Sequence, residues 1–184
     1  MRTHMHTHMH MCKHMYVCAA ARVALLISAA VLVALAMHKI YRGLTVGGAE
    51  EAFDAAYRNT DYIVYKLDDA LRINEHSQTF DELLRKHGAK LCIFLTAWNP
   101  KSQEFSRAEN DKRNEELVAR VKHLGGFLTL AGEGKARTGD WPPEHSYLIV
   151  GTTPKMANQL ADEFGQNAYV EYTLGGVAKL VWRQ

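Results

Sequence analysis

The run Leu91–Trp98 constrains the fold more than any other part of the chain, because it is apolar at every position except Thr96. A strand with one face in water alternates apolar and polar residues, whereas a continuous apolar run is typical of a strand covered on both faces. Such a strand requires packing layers above and below it. The run therefore predicts the central strand of a layered sheet.

The segments on either side predict further helices and strands. Capping residues and terminating glycines predict helices over Glu50–Arg58, Phe80–His87 and Arg107–His123, and after Thr153 over residues 154–164. β-branched and aromatic runs predict strands over Tyr62–Tyr65, Ala70–Ile73, Phe127–Leu130, Tyr147–Val150, Ala168–Tyr172 and Val177–Trp182. The order α-β-β-α-β-α-β-β-α-β-β predicts a single layered α/β (α+β) domain with a mixed β-sheet flanked by helices.

Local signals refine this plan. Thr79 with Glu82, and Ser106 with Glu109, have the spacing of capping boxes. The glycines and prolines of Glu133–Glu144 predict a polar loop. Hairpin turns are expected at Asp68-Asp69 and at Gly175-Gly176.

The first 36 residues have a different composition from residues 37–184, which form the predicted globular domain. They contain three of the chain's 22 basic side chains and none of its 20 acidic ones, so the remaining chain is almost neutral. Near neutrality argues against a strong nucleic-acid footprint. The histidines and methionines at the start could bind a metal, or could be translated upstream DNA repeat, with Met37 as the true start.

A third interpretation is a signal peptide or membrane anchor formed by the apolar segment Val23–Met37. A start at Met37 predicts a cytoplasmic protein, whereas a genuine Val23–Met37 segment predicts membrane anchoring or export. Membrane contact is expected only if residues 16–37 are a real anchor. Fifteen residues, apolar apart from Ser28, are few for a span of about 20.

Residues 37–184 lack the signatures of common cofactor and metal sites. They contain no P-loop, dinucleotide-binding glycine motif, paired-cysteine motif or zinc-protease motif. Cys92 is their single cysteine, so no disulfide framework is predicted. We therefore predict neither a cofactor nor a metal site.

The predicted helix Arg107–His123 carries amides where its buried stripe should be apolar. The stripe that includes Leu117 and Val121 continues backwards, in steps of three and four, to Asn114 and Asn110. These amides should lie near Thr96 and Asn99, at the end of the central strand, where they predict a polar pocket. Free N–H groups at the helix start would favour an anion there.

A different role for these asparagines is equally consistent with the pattern. Inward amides can bind loop backbone that would otherwise be buried without partners. Glu109 is interpreted as a helix-capping residue, because its side chain can reach back to the Ser106 N–H.

Four motifs resemble one family. "AYRNTDY", "TAWNP" followed by "EN" and "RN", "WPPEHSYLIVG" and "FGQNAYV" together span most of residues 50–171. They resemble the bacterial family known as domain of unknown function 3293. The resemblance implies a shared fold and no assigned activity or catalytic residue. Residues 1–36 lie outside it, which favours a start at Met37.

These motifs place polar and aromatic side chains where elements begin or end. If their loops converge, the pocket would suit a small polar ligand, in its narrowest form a nucleotide or nucleobase-like molecule. The predicted ligand-binding residues are Tyr57, Thr96, Trp98, Asn99, Asn110, Asn114, Trp141, Ser146, Gln166 and Asn167.

Two other functions remain open. Glu144 could be the catalytic acid or base of a hydrolase if burial beside Trp141 raised its pKa. His145 is either a general base or an exposed loop residue. The domain could also be a protein-interaction module whose loop residues contact a partner.

Overall fold

A seven-stranded antiparallel sheet organises the domain. The structure is a computed structural model that describes residues 53–125, 127–139 and 142–183. The strands are β1 (Thr60–Val64), β2 (Ala70–Leu71), β3 (Leu91–Leu95), β4 (Leu128–Ala136), β5 (Glu144–Val150), β6 (Ala168–Thr173) and β7 (Lys179–Trp182). Across the sheet their order is β2-β1-β4-β5-β3-β6-β7.

Four helical segments connect these strands. They are α1 (residues 53–58 in its described part), α2 (Gln78–Lys86), α3 (Arg107–His123) and α4 (Pro154–Glu163), with a short 3-10 turn at Pro100–Ser102. The order of helices and strands is the predicted one. The layered α+β fold, with a sheet flanked by helices, is confirmed.

Strand β3 is an internal strand buried along its whole length. It pairs with β5 on one side and β6 on the other, and all five of its residues are buried. Cys92 and Phe94 face the cluster that contains Phe80 and Leu84 of α2. Its other residues face a cluster that includes side chains of α3 and α4. The apolar run is therefore continuous because both faces of the strand are covered by helices.

The sheet curls until its two edges meet. Ile73 and Ala178 form an isolated parallel bridge, and the Asn74 N–H donates to the Ala178 carbonyl at 2.8 Å. The Ala178 N–H donates in turn to the Glu75 carbonyl at 2.9 Å. All paired strands in the described part of the sheet are antiparallel. The bridge between Ile73 and Ala178 is the one parallel contact there, in a sheet that was predicted to be mixed.

Two of the three predicted N-terminal helix caps are present. The Ser106 side chain accepts from the Glu109 N–H, and the Glu109 carboxylate accepts from the Ser106 N–H, which completes the predicted capping box. Thr153 caps α4 through the Met156 N–H. The box predicted at Thr79 was wrong, because Ser77 begins α2 and accepts from the Phe80 N–H at 3.2 Å.

The polar loop predicted over Glu133–Glu144 is shorter than expected. β4 continues to Ala136, and β5 already begins at Glu144. Backbone pairing with β1 and β5 extends the strands irrespective of side-chain polarity, and Glu133 pairs opposite His145. Gly132 permits the close approach of β4 to β1, since a Cβ at this position would lie 2.1 Å from the Ile63 carbonyl oxygen.

Candidate functional site

Most of the predicted site residues lie at one end of the sheet. Strand β3 ends there, and its antiparallel neighbours β5 and β6 begin there. Residues 96–105, here called the rim loop, leave this end of β3 and lead into α3. The predicted convergence of the strand end with the start of the long helix is therefore present.

Asn114 fixes the first part of the rim loop and links it to β5. Its side chain is buried, with 3% exposed. The Asn114 Oδ1 accepts from the Ala97 N–H at 2.9 Å, and its Nδ2 donates to the His145 carbonyl at 2.8 Å. The amide therefore satisfies the Ala97 N–H, which would otherwise be buried without a partner, and gives the His145 carbonyl one of its hydrogen bonds.

Asn110 fixes the middle of the rim loop. Its Oδ1 accepts from the Asn99 N–H at 2.9 Å, and its Nδ2 donates to the Asn99 Oδ1 at 2.9 Å and to the Phe105 carbonyl at 3.2 Å. Of the two roles predicted for the asparagines, the geometry gives them the loop-holding one. Both amides are engaged with the protein itself.

Asn99 connects α3 to the strand on which Glu144 lies. Its Oδ1 accepts from the Phe105 N–H at 3.1 Å, and its Nδ2 donates to Glu144 Oε1 at 2.7 Å. A hydrogen-bonded chain therefore runs from Asn110 through Asn99 to the Glu144 carboxylate.

Side chains from other elements bind the same loop. Arg113 donates to the carbonyls of Ala97 at 2.9 Å and Phe164 at 2.8 Å, which joins the loop to the end of α4. Gln166 Nε2 donates to the Trp98 carbonyl at 2.8 Å, and Asn167 Nδ2 donates to Ser102 Oγ at 2.9 Å. The predicted Gln166 and Asn167 thus belong to this assembly.

The predicted Thr96 also belongs to this assembly, because it joins the loop to β5. Its hydroxyl donates to the His145 carbonyl at 2.7 Å and accepts from the Trp98 N–H at 3.0 Å.

The rim loop contains three non-glycine residues with left-handed backbone conformation. The φ angles are 46° at Asn99, 55° at Lys101 and 56° at Ser102. Such residues cost about 1–2 kcal/mol each relative to ordinary conformations. The surrounding hydrogen bonds hold the loop in this conformation.

Glu144 and His145 leave β5 on opposite faces of the sheet. Side chains alternate along a strand, and Leu148 and Val150 lie in the α2-side cluster, so Glu144 shares their face. His145 faces α3, where its Nδ1 is 3.7 Å from Asp111 Oδ1, and its ring lies 5.3 Å from the Trp98 ring. The predicted residues share one end of the sheet but divide between its two faces.

On the Glu144 face lie further polar and aromatic residues. The Ser146 hydroxyl is buried and donates to the Glu144 carbonyl at 3.0 Å. The Tyr62 hydroxyl donates to the Tyr57 carbonyl at 2.9 Å, and burial raises the pKa of Tyr62 far above its ordinary value. The predicted Tyr57 packs its ring edge-on against Trp182, 5.4 Å away. Trp141 lies outside the described residues.

The start of α3 carries a carboxylate of its own at the place where an anion was expected. Glu109 caps it, and hydrogen bonds from the Ser106 hydroxyl and backbone N–H lower the pKa of Glu109. A carboxylate therefore already occupies this positive helix end. The expectation of an anion at the helix start is not supported by this geometry.

Arg113 is the contributor that sequence reasoning missed. It lies outside the apolar stripe of α3, so helical periodicity gives no signal for it. Its position beside Asn114 in the "RN" motif is the feature that could have drawn attention to it. Among the described residues, no group of three or more His, Cys, Asp and Glu side chains could hold a metal ion.

These features define a class of protein: an antiparallel α+β domain in which buried amides hold a strained loop at one end of a curled sheet. Residues 95–169 match the family described as "Protein of unknown function (DUF3293)". This match, over 75 of the 184 residues, agrees with the family that the motifs resemble. Neither a curated protein nor a solved structure shows significant similarity to it.

The matched residues include the complete rim loop and every side chain that binds it. In the described part of the chain, no helix has the length and apolar character needed to cross a membrane. The segments 1–36 and Val23–Met37, on which the predictions of export and of a start at Met37 depend, lie outside the described residues.

Proposed function

We propose that this domain binds a small polar ligand at the rim-loop end of its sheet, with the rim loop as the recognition element. The strain at Asn99, Lys101 and Ser102 carries the proposal. Strained backbone persists only where its surroundings over-determine it, and it concentrates at ligand sites and switches. Seven different side chains hold this loop, which is more than closing a connection to the next helix requires.

The ligand contacts come from groups that the loop presents, while the buried amides position those groups. Lys101, Ser102 and Gln103 are exposed, and Trp98 is half-buried beside the exposed His145. An indole next to an imidazole offers a surface for stacking a planar ring. The Trp98 Nε1–H is buried and has no hydrogen-bond partner in the described part of the chain. A nucleotide-like ligand would use all three kinds of group: the exposed polar side chains, the stacking surface of Trp98 and His145, and the Trp98 Nε1–H.

Titration of the full chain with adenosine, guanosine, cytidine, uridine and their monophosphates tests this proposal. Calorimetry and thermal unfolding should both register binding, because a ligand that binds only the folded state raises Tm. Trp98→Leu should weaken binding by about tenfold. Tyr65→Leu is the matched control, since Tyr65 is an exposed aromatic residue that follows β1, and β1 lies two strands from β5. Absence of binding by all eight compounds, or equal binding by Trp98→Leu and the control, would contradict the proposal.

Hydrolysis with Glu144 as the base is the second candidate. The Asn99 amide donates to its carboxylate at 2.7 Å and so fixes the orientation of that carboxylate. If the domain hydrolyses nucleoside phosphates, Glu144→Gln should abolish turnover at an unchanged Tm, because glutamine still accepts from Asn99. Turnover that survives this substitution excludes the role.

A further inference from the structure

A cavity of about 670 Å³ lies at the opposite end of the sheet from the rim loop. Its walls are the segment His87–Lys90 after α2, Phe127 and Leu128 at the start of β4, and Val150–Thr152 after β5. Strand β3 begins at this end, whereas it meets the rim loop at the other. The cavity is therefore separate from the proposed rim site.

The cavity is lined by basic side chains and by no acidic ones. Its nine lining residues include Lys90 and His87. Lys90 forms no ion pair with any residue that the structure describes. An unpaired lysine beside apolar walls favours an anion that also carries an apolar group.

Thr152 adds a hydrogen-bond donor without a partner. The residue is 5% exposed, and its Oγ1 has no hydrogen-bond partner within the described chain. A buried hydroxyl without a partner is costly, so its presence calls for an explanation. Thr152 immediately precedes Thr153, the N-cap of α4, where the helix dipole adds positive potential.

The end of α2 adjoins the cavity. Three of its last four carbonyls are occupied, since the N–H groups of His87, Gly88 and Ala89 donate to the carbonyls of Leu83, Arg85 and Leu84. The Phe127 ring closes one side of the cavity and lies against Gly151, where an added Cβ would be 3.6 Å from Phe127 Cδ1.

From these features we infer that the cavity binds a small organic anion, with its carboxylate or phosphate between Lys90 and the Thr152 hydroxyl and its apolar body on Phe127. Lys90 supplies the charge, and the Thr152 hydroxyl, which makes no hydrogen bond to any described residue, supplies the donor. Phe127 and Leu128 supply the apolar contact. No covalent step is involved.

Phenyl phosphate and benzoate are suitable probes, with benzyl alcohol as their neutral counterpart. Calorimetric titration of the full chain should show binding of one or both anions, weakened by added salt, and much weaker binding of the alcohol. Lys90→Met should weaken anion binding by about tenfold. Lys86→Met, at an exposed lysine on the last turn of α2 that does not line the cavity, should bind like the unmodified chain.

Thr152→Val separates a ligand-binding hydroxyl from a structural one. It should raise the Tm of the ligand-free protein, because it removes a buried hydroxyl that has no partner, and it should also weaken anion binding. A merely structural role predicts a lower Tm instead. A lower Tm for Thr152→Val, anion binding unchanged by either substitution, or equal binding of the alcohol and the anions would each overturn the inference.

Discussion

Asn114 shows how a single buried amide can decide the path of a loop. It bonds the Ala97 N–H and the His145 carbonyl at the same time, so it joins the rim loop to β5 through α3. An apolar side chain of similar size would fill the space and leave the Ala97 N–H unpaired, whereas the His145 carbonyl would keep the Thr96 hydroxyl. Asn114 therefore holds the loop through both ends of its amide.

Replacing Asn114 by leucine should therefore destabilise the fold in spite of its added apolar surface. The buried Ala97 N–H would lose its partner, and the His145 carbonyl would keep only the Thr96 hydroxyl of its two side-chain donors, at a cost of about 1–3 kcal/mol. Urea unfolding measures this loss directly. Lys112→Leu, at an exposed position of the same helix, should change the free energy of unfolding by less than about 0.5 kcal/mol. A leucine variant as stable as the unmodified chain would rule out the loop-holding role.

Asp81 is another buried residue with several partners. It accepts from the Gly175 N–H at 2.7 Å, and Tyr172, Arg85 and His76 also contact it. The Gly175 N–H makes the largest contribution to lowering the pKa of Asp81, with further contributions from Tyr172, His76 and Arg85. The folded state therefore holds the ionised carboxylate more tightly than the unfolded chain does.

A lowered pKa fixes the direction of the pH dependence. The stabilisation by Asp81 is fully present above the ordinary aspartate pKa of about 3.9, and it is lost as the pH falls through the lower pKa of the folded state. Between about pH 6 and about pH 3, Tm should fall less for Asp81→Asn than for the unmodified chain. Glu82→Gln, at an exposed neighbour, should keep the full decrease. Identical decreases for Asp81→Asn and the unmodified chain would contradict the assignment.

At the scale of elements, α3 performs two tasks with one buried stripe. Leu117 and Val121 pack in the apolar cluster between the sheet and the helices α3 and α4, whereas Asn110 and Asn114 bind the rim loop. The capping box formed by Ser106 and Glu109 fixes where the helix begins, and so fixes where the amides lie relative to the loop. A start shifted by one residue would rotate both amides about 100° away from the loop.

The strained loop gives a prediction at this scale. Lys101 has φ 55° and ψ 30°, a conformation that glycine adopts without steric cost. Lys101→Gly should therefore raise the free energy of unfolding by up to about 1 kcal/mol, after the entropic cost of glycine is subtracted. In chemical denaturation, Lys112→Gly in the interior of α3 should instead lower it by about 1 kcal/mol. Destabilisation of similar size by both substitutions would show that the loop is not strained at Lys101.

At the scale of the whole molecule, closure of the sheet depends on few contacts. Beyond the bridge between Ile73 and Ala178, the Tyr172 hydroxyl lies 2.8 Å from the Ser77 carbonyl oxygen and 3.0 Å from Asp81 Oδ1. Burial raises the pKa of Tyr172 to about 12, so the hydroxyl remains a donor throughout the physiological range. It connects β6 to the start of α2, inside the curl.

Tyr172→Phe should loosen this closure. The loss of a buried hydrogen-bonded hydroxyl should lower the free energy of unfolding by about 1–3 kcal/mol. Hydrogen exchange should accelerate at the Gly175 and Ala178 amides more than at Ile93, which lies inside the sheet. Tyr65→Phe removes an exposed hydroxyl and should leave these rates unchanged. Uniform acceleration at all three amides would indicate general destabilisation instead of local opening.

Much of the fold follows from local sequence signals. The order of helices and strands, the doubly covered strand β3, the capping box at Ser106 and the hairpin around Gly175 are all determined by residues close together in the chain. Most of the site residues that the structure describes lie at one end of the sheet, as the strand ends and helix starts beside them predict.

Tertiary structure decided what no local signal specifies. Strand order, antiparallel pairing throughout the sheet and closure at Ile73 and Ala178 depend on contacts between residues far apart in sequence. The alternation along β5 placed Glu144 and His145 on opposite faces, which divided the predicted pocket. The sequence allowed two roles for Asn110 and Asn114 of α3, which could line a pocket or hold the loop. Only the position of the Ala97 and Asn99 N–H groups, set by the folded loop, assigned their amides to the loop.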